Sequence, residues 1–214
     1  MRSRIPGPTC AERGTGIMQN SPECVGQTVS VPLEILNGDI SLGQFNSIYM
    51  YNRRQPKDYF RRSLATRREL LPAGTLLWKC TDYQLRAGFV TEWWAPGDHL
   101  KPALEHCMNL GVSLQRYCRV RYAVIWEWGN KASHLLKARL LEPVYAFAGQ
   151  TKPMGTKHSP GGQDTGMGNL ALIGGDPQLC IPNLTLAEIT QVSFEDSEAL
   201  PEGWDERAAA AGQS

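Results

Sequence analysis

Hydrophobic positions along this 214-residue chain fall in short bounded runs, and the stretch that organises the rest is Leu70 to Pro96. There, Thr75 to Cys80 is apolar between the turn signal Pro72-Ala73-Gly74 and the polar Thr81-Asp82-Tyr83, which predicts a buried strand. Gly88 to Trp94, stopped by Pro96-Gly97, predicts a second. Each run carries one polar residue in an apolar frame, Lys79 and Thr91, a pattern that fits a cleft wall better than a plain core. Leu100, Ala103, Leu104, Cys107, Met108 and Leu110 then recur at helical spacing, with Asp98 as the expected cap, Pro102 in the first turn and Gly111 as the stop.

Val112 to Tyr117 reads as a further turn of helix. Arg119 to Trp128 is β-branched and aromatic and reads as a strand. So do Val144–Gly149, Asn169–Ile173, Gln178–Pro182 and Ile189–Phe194, while His134–Leu141 is another apolar run. Upstream, Val29–Leu36 predicts a strand closed by the turn Asn37-Gly38-Asp39. Residues 43–69 predict a helix interrupted at Pro56. Residues 149–169, rich in Gly, Lys and Pro, have the length of a lid or binding loop. The expected fold is α+β: two small mixed, mostly antiparallel sheets forming a cleft, with N-terminal and intervening helices. Residues 29–196 make one domain, between a disordered tail at 1–28 and an acidic, Ala-rich disordered tail at 197–214.

Composition narrows the function classes. With 42% hydrophobic and 20% charged residues the middle of the chain can bury a core, and a net charge of +1 argues against wholesale binding to nucleic acid or a membrane surface. Charge is uneven, however. Residues 53–68 are basic and interleaved with Tyr59 and Phe60, which reads either as a nucleic-acid-facing patch or as a solvated helix face. The six cysteines show no CxxC and no zinc spacing, and reduced thiols are expected over a disulfide framework. No apolar run approaches the ~20 residues of a membrane span. The basic N-terminus lacks an apolar h-region, so no standard signal peptide is expected. The P-loop, Rossmann, HExxH and GxSxG motifs are absent, and the histidines are isolated.

The order of the pieces carries more information. A strand with Lys79 near its end leads to Gly88-Phe89-Val90-Thr91, then a helix, then a strand ending Tyr145-Ala146-Phe147. A long loop follows, then Asp176-Pro177-Gln178-Leu179-Cys180-Ile181-Pro182 and Thr185. In this order residues 70–194 resemble the mono-ADP-ribosyltransferase toxins of the Arg–Ser–Glu class. The resemblance implies NAD as cofactor, bound in a cleft between the sheets. It also implies transfer of ADP-ribose to a protein or nucleic-acid acceptor by a toxin or effector that is cytoplasmic or delivered into a target cell. An antitoxin or immunity protein is then an expected partner.

On that resemblance Lys79 takes the place of the cofactor-binding Arg and Thr91 that of the first Ser, while Asp176 and Gln178 take those of the two acids. Trp78 and Trp93 would flank the nicotinamide, unless they are simply core and rim. Lys for Arg keeps the charge but loses the bidentate fork. Gln178 removes a negative charge that should face a developing cation, an effect worth about 3–4 kcal/mol. Either Asp176, Glu92 or Asp164 supplies the acid, or the fold persists as an inactive binding or inhibitory module. Glu92 reads equally as a carboxyl buried against indoles or as an exposed strand residue.

Overall fold

The computed structural model describes residues 34–48, 59–60, 66–82, 85, 90–125, 128–156 and 170–198. The expected strand residues 29–33, most of the basic segment, Gly88-Phe89, the lid residues 157–169 with Asp164, and the tails 1–28 and 199–214 lie outside them.

Chain order gives α1 (Leu42–Phe45), β1 (Arg67–Leu71), β2 (Leu76–Thr81), β3 (Trp93–Pro96), α2 (Leu100–Leu110) and α3 (Leu114–Arg121). Then follow β4 (His134–Leu140), β5 (Val144–Gln150), β6 (Met154–Thr156), β7 (Leu170–Leu172), β8 (Pro177–Cys180) and β9 (Ile189–Asp196). The fold is α+β. A seven-stranded sheet runs β1-β5-β8-β3-β2-β4-β9, and β6 and β7 form a separate pair. Every strand pairing described is antiparallel. A parallel bridge joins Leu36 to Val144.

The large sheet is two halves joined through β3. Trp93 and Trp94 pair with Cys180 and Leu179 of β8, whereas Ala95 and Pro96 pair with Trp78 and Leu77 of β2. Apart from Lys79 and Thr81, β2 is apolar, and both its faces are covered. Leu77 packs with Trp94, Leu136, Ala146 and Ile181 on one face. Trp78 and Cys80 pack on the other, against Leu104 and Cys107 of α2 and Leu114 and Cys118 of α3. Each such side chain, fully buried, contributes roughly 1.5–3 kcal/mol relative to exposure. A third cluster stacks Phe45 on Phe147, ring centroids 3.6 Å apart, with Phe60 and Cys180.

Three local expectations need correction. Residues 67–69 were expected in the interrupted helix but belong to β1, where Arg68 lies over the Tyr145 ring at 3.5 Å. In the rest of the expected helix, the described part holds one turn, α1, closed by a capping box between Ser41 and Gln44. Of the expected strand Arg119 to Trp128, the described residues 119–125 and 128 form no strand. Ser113 caps α3 by accepting from the Arg116 amide at 3.2 Å, and helical spacing of Leu114, Tyr117 and Cys118 overrides the β-rich composition up to Arg121. Asp98 is not the cap of α2; it sits in a short 3-10 turn, Gly97–His99, ahead of it. Gly111 does end α2, in the left-handed region at φ 61°. Among the described residues no helix is long and apolar enough to cross a membrane.

Phe60 also fixes the backbone of β5. A Cβ on Gly149 would stand 2.5 Å from the Phe60 ring. Gly149→Ala is therefore expected to lower stability by about 1–3 kcal/mol, read as a lower denaturant midpoint at unchanged slope.

Candidate functional site

A cavity of about 1050 Å³ is lined by β2, β3, β8 and the segments that lead into them. Lys79 projects from β2, and its ammonium donates to Thr91 Oγ1 at 2.6 Å and lies 4.1 Å from the centre of the Trp94 ring. Among the described residues no carboxylate lies within ion-pair distance of it. Desolvation brings the Lys79 pKa down to about 7, against an opposing pull from the Glu92 charge.

The segment before β3 is held from three sides. The Trp94 indole donates to Thr91 O at 2.9 Å, the Ile181 amide donates to Glu92 O at 2.8 Å, and Lys79 holds the Thr91 hydroxyl. Thr91 and Glu92 are thus positioned by their backbone rather than by strand pairing. Glu92 is half-buried on the cavity wall, between the two expectations for it. Trp93 forms an aromatic wall with Tyr59 (5.0 Å between centroids) and Phe60 (5.5 Å), and Trp128 continues it 5.8 Å from Tyr59. Trp78 borders the cavity but is 1% exposed, with its indole donating to Pro96 O and its ring edge-on to Tyr122.

Gln178 enters from β8, half-buried, with its Oε1 3.5 Å from the Thr151 hydroxyl. Lys79, Thr91, Glu92, Trp78, Trp93 and Gln178 therefore share one cavity. Asp176 is not among the residues lining it. The turn Gly174-Gly175, both at positive φ, instead directs Asp176 toward α3. Space forces glycine at the first position, since a Cβ there would meet Thr151 O at 2.6 Å. Asp176 is buried, accepting from Arg121 Nε at 2.6 Å and from the Tyr117 hydroxyl. Burial, then the bond to Asp176, pushes the Tyr117 pKa up, which keeps it a donor. His99, expected to be isolated, lies 4.0 Å from Asp176 and 3.2 Å from the Tyr122 hydroxyl.

Sequence reasoning missed the network of Tyr117, Arg121 and Tyr122. The signal was present: Tyr117 and Arg121 are four apart, so a helix after Ser113 puts both on one face. Ending the helix at Tyr117 and reading a strand from Arg119 hid it. Arg119 was missed for the same reason. It is buried, donates to Val124 O at 3.0 Å and to Asn130 O, and so shapes the loop that carries Trp128.

No family model matches the chain, and no curated protein does. Among solved structures it is similar to one titled Tne2 in complex with Tni2, with a TM-score of 0.43 and 15% identity. That alignment covers 63% of this chain and 92% of the other.

The lowered Lys79 pKa fixes the sign of a pH effect. Between about 7 and 10.5 the unfolded chain holds the Lys79 proton and the folded chain does not. This group's contribution to stability is therefore complete above 10.5 and is lost as pH falls through about 7. Thermal melts of the wild type and Lys79→Met across that range should show the variant increasingly favoured toward low pH. A difference independent of pH would contradict the assignment.

Proposed function

We propose that the cavity binds NAD and that the protein is an ADP-ribosyltransferase-like toxin or effector, passing ADP-ribose to a protein or nucleic-acid acceptor. The observation that carries this reading is the convergence of Lys79, Thr91, Glu92 and Gln178 on one cavity from distant parts of the chain. The wall fits such a ligand. Its volume is at the upper end of the ~300–1,000 Å³ typical of small-molecule sites. Among the described residues the Lys79 ammonium has no ion-pair partner, which suits a diphosphate. The Thr81 hydroxyl, buried on the same wall, has no hydrogen-bond partner among the described residues. Tyr59, Trp93 and Trp128 offer planar apolar surface for a ring.

NAD, when bound, supplies a ribose–nicotinamide bond whose breakage leaves positive charge on the sugar. In this reading Glu92 is the carboxylate that answers that charge, and Gln178 hydrogen-bonds a ribose hydroxyl. Thr91, held by Lys79, orders the segment that presents Glu92. Asp176 acts as a positioning residue, tying the approach to β8 to α3. An immunity protein covering the cavity mouth would complete the picture for a toxin.

Gln178 also favours a second reading, a module of the same fold that binds NAD without turning it over. The two part on one experiment: calorimetric NAD binding with free nicotinamide followed in the same sample. Release supports the enzyme, binding without release supports the module, and no binding at millimolar NAD removes both. For the enzyme, Lys79→Ala should weaken binding about tenfold or more. Glu92→Gln should slow nicotinamide release by about a hundredfold while leaving affinity near the wild-type value. Binding a diphosphate favours protonated Lys79, so affinity should fall as pH rises above about 7 and proton uptake should accompany binding. An affinity flat across that range would remove Lys79 from the anion contact.

A further inference from the structure

We propose that Cys80 and Cys118 are an oxidant-responsive pair in the cavity wall, closed to a disulfide by a small peroxide. Cys80 lies on β2 beside Lys79, and Cys118 lies on α3 beside Tyr117. Both are free thiols, and their sulfurs are 2.9 Å apart. A disulfide holds its sulfurs at about 2.05 Å, so closing the bond asks for a movement of only about 0.9 Å. Both residues border the cavity, which gives a peroxide a route to them. Cys107 and Cys180, also free and buried, do not border it.

The order of events follows from exposure. Cys80 is 7% exposed and Cys118 2%, and burial, followed by the neighbouring Cys80, holds the Cys118 thiol well above its ordinary pKa. The Cys80 sulfur attacks the peroxide, the O–O bond breaks, and a sulfenic acid forms as water leaves with the thiol proton. The Cys118 sulfur then attacks the Cys80 sulfur, expelling the oxygen as a second water. Two thiols and one peroxide become one disulfide and two waters. The product ties β2 to α3 and, through Tyr117 and Arg121, to Asp176 ahead of β8. This proposal does not depend on the nucleotide reading.

The test is a non-reducing peptide map of the purified, reduced full chain after graded hydrogen peroxide. The expected result is a dominant Cys80–Cys118 cross-link, the loss of two hydrogens from the intact chain, and reversal by dithiothreitol. A melting temperature raised by several degrees should accompany it. Cys118→Ala should leave a sulfenic acid at Cys80 that dimedone labels. The proposal is overturned if both residues stay reduced while other cysteines oxidise, or if cross-links to Cys10, Cys24 or Cys107 dominate. Because the wild-type map carries the decision, the result stands even if the variant fails to fold.

Discussion

β3 has to satisfy two partners that do not pair with each other. Its first two residues complete the ladder of β8 and its last two complete that of β2. A strand of four residues cannot run the full length of both, so the two halves of the sheet part around it. The gap is the cavity. The groups that line it are those left over when strand pairing stops: the Thr91-Glu92 backbone, the Lys79 ammonium and the Gln178 amide. The geometry of the site is therefore a by-product of how the sheet is stitched, and small changes in β3 should reach every part of it.

Placing a lysine in such a wall is expensive for the fold, because the ammonium exchanges water for one hydroxyl and the face of an indole. The surroundings offset part of this. Three hydrogen bonds fix the segment that carries Thr91, and the ion pair of Arg121 with buried Asp176 anchors the turn before β8 to a helix. Among the described residues no carboxylate stands within ion-pair distance of the Lys79 ammonium, and the buried Asp176 is committed elsewhere, to Arg121 and Tyr117. Its location explains how two residues only two apart, Asp176 and Gln178, serve different neighbourhoods.

Much of the fold could be read from local pattern. β2, α2, β5, β8 and β9 were legible because hydrophobic runs and turn residues agreed with tertiary demand. The short Thr75–Cys80 run and the Gly111 stop are the clearest cases. The first turn of α3 was legible in Val112 to Tyr117, but its end from Arg119 on was misread because the composition there favours a strand, and the Ser113 cap and the packing of Tyr117 and Cys118 decide for helix. Of the residues that share the cavity, Lys79 and Thr91 were visible as polar interruptions of apolar frames, whereas Glu92, Trp93 and Gln178 were singled out through the resemblance. The destination of Asp176 was not legible, since it depends on a glycine turn and on the last turn of α3, which carries Arg121.

The strand order has a consequence for how the chain comes together. In the seven-stranded sheet only β2 and β3 are neighbours both in sequence and in space. β1 waits for β5, β3 waits for β8, and β4 is completed only with β9 at the far end. The turn at Asn37 also waits for distant chain, since its side chain donates to Tyr145 O and Pro182 O. Such a topology has high contact order, so a growing chain stays without most of its ladder until nearly all of the domain has emerged. The cavity would be assembled late, in a step shared with the whole sheet, so that a shortened chain would carry its site residues without the site.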